Sequence, residues 1–201
     1  MSAIQIDPRR DALIIVDVQN DFCPGGAFAV PHGDKVIPAI NRLLAYPWLA
    51  VATKDWHPSN HSSFQAQGGP WPPHCVQGTP GAELHPALDA ASIQVIVTKG
   101  SRPERDAYSG FDGTDLAKIL RDGGVTRVVV CGLATDYCVS ATARDALQEG
   151  FAVLVPEDAI CGVEINPGDS QRAVAELTKA GALFISSADL SFNELGRDRE
   201  R

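Results

Sequence analysis

The sequence predicts an α/β fold, a three-layer sandwich around a six-stranded, mostly parallel sheet, and three observations predict it. Six short apolar runs, partly β-branched, recur along the chain. Stretches of helical periodicity lie between several of them, and glycines stop those stretches. The runs are apolar throughout instead of alternating, as strands covered on both faces are, and helical crossovers bring neighbouring strands parallel.

In chain order, the first strand covers residues 12–16 and ends at Asp17. A helix over 34–46 carries Val36, Ile40, Leu43 and Leu44 on one face, and the second strand follows at 49–53. Residues 55–86 break the rhythm with Pro, Gly, His and Trp, and a loop this long in a compact domain is usually functional. The third strand covers 93–98, and a helix over 115–121 ends at Gly123 and Gly124. The fourth strand covers 127–131 and leads into a helix over 136–148, N-capped by Thr135 or Asp136 and stopped by Gly150. The fifth strand at 152–155, a helix over 170–180 stopped by Gly181, and the sixth strand at 183–186 complete the pattern. Residues 193–201 are expected to form a solvated end.

The 201 residues suit one domain, with a core over about 12–188, and a chain of this size buries roughly 70% of its unfolded surface. A formal net charge of −8 without a Lys/Arg stripe excludes nucleic acid as a partner. The apolar runs fall far short of the roughly 20 residues a membrane helix needs. The opening MSAIQIDPRRDA lacks a secretory signal, so a cytoplasmic location is expected. Cys23, Cys75, Cys131, Cys138 and Cys161 include no CxxC pair, which fits neither a disulfide framework nor a four-cysteine zinc site.

Ligands of open parallel sheets bind beyond the carboxyl ends of the strands. There the chain delivers Asp17 after the first strand, Asp55 and His57 after the second, Lys99 after the third, and Cys138 after the fourth. Cys138 near a helix N-terminus is expected to have a lowered thiol pKa, with free N–H groups nearby for an oxyanion. Asp17 and Lys99 add a base or acid and a cation, the set that acyl transfer through a thioester needs. Cys131 reads as core, and Cys23, Cys75 and Cys161 as loop cysteines. Asp55 and His57, two apart in an extended segment, point the same way and with His74 form a candidate site for one divalent metal ion. Two imidazoles and a carboxylate suit zinc, iron or manganese; His61 is a further candidate ligand.

These residues sit in motifs that resemble the nicotinamidases among the isochorismatase-like cysteine hydrolases. The likeness runs from about residue 12 to 188 through VDVQNDFCPGGA (16–27), TKDWHPSNHSSF (53–64), WPPHCVQGTPGAELHP (71–86), TKG (98–100), AYSGF (107–111) and GLATDYCVSATARDA (132–146). The resemblance implies a catalytic triad of Asp17, Lys99 and Cys138 and metal ligation by Asp55, His57 and His74, with zinc first among the metals. It implies a cis peptide between Leu133 and Ala134, which turns the Ala134 and Cys138 N–H groups toward an oxyanion. It also implies an aromatic pocket from Phe22, Trp71 and Tyr108. The implied substrate is a small carboxamide, nicotinamide, with pyrazinamide accepted as well, and a homo-oligomer stays open.

Two other readings remain: a sibling amidohydrolase for N-carbamoyl or ureido substrates, and a catalytically idle, metal-stabilised binding protein. The charged stretch GSRPERD after Lys99 departs from the family pattern and bears on the pocket mouth.

Overall fold

The structure, a computed structural model, describes residues 3–192; the solvated end expected at 193–201 lies outside the described residues. The elements in order are β1 (Ile4–Gln5), β2 (Asp11–Val16), α1 (Ile37–Leu44), β3 (Leu49–Asp55), β4 (Val95–Lys99), α2 (Leu116–Asp122), β5 (Arg127–Leu133), α3 (Ser140–Gln148), β6 (Ala152–Pro156), β7 (Ile160–Cys161), α4 (Asp169–Ala180), β8 (Leu183–Ile185) and β9 (Leu190–Ser191). All six expected strands are present and run parallel in the order β4-β3-β2-β5-β6-β8. Two-residue β7 joins β5 as a seventh strand, and β1 pairs with β9 in a separate small sheet. Cys161 therefore lies in a strand, not in the loop expected for it; so short a strand carries no periodicity to read.

The central strands explain the three layers. Along β2, Leu13 and Ile15 pack with Ile40 and Leu43 of α1, while Ala12, Ile14 and Val16 pack with Leu116 and Leu120 of α2, Ala143 of α3 and Leu177 of α4. Alternate side chains of a strand point to opposite faces, so an unbroken apolar run feeds two cores. Each such Leu or Ile contributes roughly 1.5–3 kcal/mol by leaving water. The strand begins one residue earlier than the apolar run. Asp11 is its first residue, and Arg127, its register partner on β5, donates to it from Nε at 2.9 Å.

Two helices begin differently from expectation. Gly33–Val36 form a 3₁₀ turn before α1, and Thr135–Val139 form a π-type turn before α3. Neither Thr135 nor Asp136 caps that turn: Ala134 is the capping position, without a side-chain bond. The Asp136 carboxylate instead accepts the N–H groups of Val163 and Glu164, at 2.9 and 2.8 Å. Among the described residues no helix is long and apolar enough to cross a membrane.

Chain order runs outward from the centre in both directions, β2 to β3 to β4 on one side and β5 to β6 to β8 on the other. The crevice at the carboxyl ends of β2 and β5 is the switch point where such sheets bind ligands. Gly132 lets the two strands approach there. Its φ is +111°, and a Cβ would sit 2.1 Å from the Val16 carbonyl oxygen.

Candidate active site

Asp17 follows β2 directly, with φ +48°, and is completely buried. Thr53 on the adjacent β3 donates its hydroxyl to Asp17 Oδ1 at 2.6 Å. The other oxygen, Oδ2, lies 2.9 Å from Lys99 Nζ as a fully buried ion pair. Lys99, the last residue of β4, occupies the centre of the cluster. It also contacts Asp55 Oδ1, donates to the Ala107 carbonyl at 3.1 Å, and lies 3.5 Å from Cys138 Sγ. The reactive atoms of Asp17, Asp55 and Cys138 all lie within 4.8 Å of one another.

The electrostatics differ from the expectation for Cys138. Burial pushes its thiol well above the ordinary range; Lys99 opposes the shift, and Asp17 and Asp55 add to it. Desolvation is the largest influence on it, and the resting group is a thiol that needs a base. Burial also raises the Asp17 carboxyl, against the pull of Lys99. For Asp55 burial acts in the same direction, but Lys99 and His57 together outweigh it and hold the carboxyl low. Lys99 stays charged because the two carboxylates overcome its own desolvation.

The second cluster lies beside the first. His57 Nδ1 is 2.9 Å from the Gly100 carbonyl and His74 Nδ1 is 2.8 Å from the Pro72 carbonyl, so each ring donates there and has Nε2 left as its remaining donor or acceptor; burial lowers the His57 pKa but the neighbouring Asp55 outweighs it. Asp55 Oδ2 is 3.6 Å from His57 Nε2, and one ligand atom from each of Asp55, His57 and His74 falls within 4.8 Å of the others. Bonds of about 2.1 Å around one ion imply ligand separations of roughly 3.0–3.4 Å, so small side-chain shifts would close the set. His61 stands differently. It stacks on His57 with ring centroids 4.1 Å apart, and both its nitrogens are engaged, Nδ1 by Ser63 Oγ at 2.7 Å and Nε2 by the Arg105 carbonyl at 3.2 Å.

Two side chains that the sequence reading did not single out hold this loop in place. Buried Gln19 donates to the carbonyls of Asp55 (2.8 Å) and Ala82 (2.9 Å) and accepts the Asp55 N–H (2.8 Å). Asp21 accepts the Cys75 N–H at 2.7 Å. Both lie in the VDVQNDF motif, and that proximity to Asp17 is their one signal in the sequence.

Above the two clusters opens a cavity enclosing about 460 Å³, part of it continuous with solvent. Phe22, Trp71 and Tyr108 line it as expected, joined by Phe28, Tyr137 and Val163. Trp71 Nε1 donates to the Tyr108 hydroxyl at 3.1 Å. Asp55, His57, His74, Ala134 and Cys138 complete the wall, and Asp106, from the idiosyncratic stretch after Lys99, does reach the pocket. The Leu133–Ala134 peptide is cis, as the family resemblance implied. The arrangement thus combines a thiol, a carboxylate and an ammonium ion beneath an apolar slot that ends at a candidate set of metal ligands.

A parallel α/β sandwich with a cysteine, an acid and a lysine at its switch point defines a class of hydrolase-like domains. Residues 11–189 match the isochorismatase domain, and the chain belongs to that family. It is similar to the nicotinamidase of Escherichia coli (strain K12), with 43% identity over 89% of this chain and 95% of that one. The solved pyrazinamidase of Pyrococcus horikoshii, in complex with zinc, superposes with a TM-score of 0.84 at 52% identity, covering 88% of this chain and 99% of that chain. PnC1 from L. infantum in complex with nicotinate superposes with a TM-score of 0.91 at 41% identity, covering 95% of this chain and all of the other.

Proposed function

We propose that the protein is a cysteine amidohydrolase that converts nicotinamide to nicotinate and ammonia, and deamidates pyrazinamide in the same way. The observation that carries this reading is the joint contact of Lys99 with Asp17 and with Cys138, which itself lines the aromatic cavity. The kinship with nicotinamidases and pyrazinamidases supports the substrate class.

The aromatic walls Phe22, Trp71 and Tyr108 hold a flat ring and set the carboxamide over Cys138, so orientation precedes chemistry. Asp17, raised by burial and within 4.8 Å of the Cys138 sulfur, takes the thiol proton. The thiolate attacks the carbonyl carbon, and the N–H groups of Ala134 and Cys138 receive the developing oxyanion. Lys99 keeps Asp17 oriented and offsets the negative charge as it forms on sulfur. Asp17 returns its proton to the departing amine as the C–N bond breaks. Water then cleaves the thioester, releasing the carboxylate and restoring the thiol.

Asp55, His57 and His74 would hold one divalent metal ion, zinc ahead of iron or manganese, because two neutral imidazoles and a carboxylate form a zinc-type donor set. The two Nδ1–carbonyl bonds, which leave Nε2 as the remaining site on each ring, support this assignment. When bound, the ion supplies a Lewis-acidic anchor for a ring nitrogen.

The deciding experiment measures ammonia release from nicotinamide, pyrazinamide and an N-carbamoyl amine by the purified protein, with and without chelator. Turnover of the two ring carboxamides that falls on metal removal is expected. Preference for the N-carbamoyl amine would overturn the substrate assignment, and no turnover of any would overturn the enzyme reading.

A further inference from the structure

Asp106 is a half-buried carboxylate on the wall of the substrate cavity. Its Oδ1 accepts the N–H of Ala107 at 2.9 Å, which fixes the side chain from its own backbone. Among the described residues no cation pairs with it. The neighbouring Arg105 turns away to Asp112 at 2.5 Å, and Lys99 is taken by Asp17 and Asp55. An acceptor atom of Asp106 lies within 4.8 Å of ligating atoms of His57 and His61. An unpaired anion in a partly desolvated cavity is unfavourable unless it has a task.

We propose that Asp106 is a specificity-determining residue that discriminates electrostatically between the neutral carboxamide substrate and its anionic carboxylate product. The proposal rests on the hydrolytic reading above, because that reaction is what turns a neutral ligand into an anion inside the cavity. With a divalent ion bound, Lys99 and that ion contribute three positive charges and Asp17 and Asp55 two negative ones. Asp106 brings the formal total to zero. Without it the cavity carries a net positive charge next to the site of a newly formed carboxylate, and product is retained. The neutral amide experiences little of this field. Asp106 therefore speeds product release relative to substrate capture.

The test is calorimetric binding of nicotinate and of nicotinamide to the metal-loaded protein in a Cys138→Ala background, which does not turn the amide over, comparing that parent with its Asp106→Asn and Asp106→Glu derivatives. Metal content is verified in each sample. Removal of one negative charge from the cavity wall should tighten nicotinate about tenfold relative to nicotinamide in Asp106→Asn. Asp106→Glu, which keeps the charge, should restore most of the parent ratio, and the Asn effect should shrink as salt is raised. An unchanged ratio of the two affinities in Asp106→Asn overturns the proposal. So does a parallel weakening of both ligands, which would mark Asp106 as a wall-shaping residue. If wild type releases ammonia from nicotinamide and the ratio does not move, the hydrolytic reading stands and this inference fails. If the parent binds neither ligand, the nicotinamide reading fails with it.

Discussion

Lys99 Nζ lies 2.9 Å from Asp17 Oδ2, with neither side chain exposed to solvent. Such a pair is held together by mutual need, since each charge would be costly alone in the interior. Replacing Lys99 with Met leaves Asp17 and Asp55 facing each other without a cation. Destabilisation of about 3–5 kcal/mol is expected, read from urea unfolding at neutral pH, together with loss of ammonia release. A Lys99→Met protein as stable as wild type would show that one of the carboxylates is protonated in the folded state.

Cys138 is buried in the π-type turn before α3, and its side chain faces the cavity. Cys138→Ala removes one atom from a packed site, so the fold should persist while kcat falls on the order of a thousandfold or more. Ammonia release by Cys138→Ala at wild-type rate would rule out the thioester route.

Gly100 serves His57 twice. Its carbonyl accepts from Nδ1, and its missing side chain makes room for the ring, because a Cβ would lie 2.5 Å from His57 Cε1. With φ at +60° the position also strains any L-residue. Gly100→Ala should displace the imidazole and weaken zinc affinity by roughly 10–100-fold, the range seen when a ligand's orienting partner is lost. Competition with a fluorescent chelator measures it, and unaltered affinity would remove His57 from the ligand set.

Asp158 accepts the N–H and hydroxyl of Ser187 and pairs with Arg42 at 3.3 Å, which ties the segment after β6 to the one after β8. Burial pushes its carboxyl up, but the Ser187 bonds outweigh that and hold it below the usual carboxylate range. Glu164, held low chiefly by Ser170, accepts the N–H groups of Gly168 and Ser170 at the start of α4. A depressed folded-state value means the stabilisation is complete above the unfolded carboxylate range and disappears as pH falls through the folded value. The melting temperature should therefore drop on acidification below about pH 4–5, and less steeply in Asp158→Asn. Parallel acid profiles for the two proteins would contradict this.

Much of the site was legible in the sequence because it is built at strand ends. An apolar run tells where a strand stops, and in a parallel sheet the stops of β2, β3, β4 and β5 share one rim, so Asp17, Asp55, Lys99 and Cys138 had to converge. The motif order added the family, the aromatic residues and the cis peptide. Short or irregular elements were not legible. The strand β7 and the turns before α1 and α3 arise from tertiary pairing and carry no periodicity of their own.

By itself the sequence determined the parallel α/β architecture, the reactive residue types and the candidate metal-ligand set, because these depend on local patterning and on chain order. Tertiary structure alone decided how the charges are shared. Lys99 is shared between Asp17 and Asp55, yet burial still raises the first carboxyl while Lys99 and His57 together hold the second low, and burial keeps Cys138 a thiol despite its place at a helix start. It also decided that both His61 nitrogens are occupied and that Asp106, Phe28, Tyr137 and Val163 meet in one cavity. The physical reason is the same throughout. Desolvation and charge pairing depend on distances between residues far apart in the chain, and only the packed fold sets those distances.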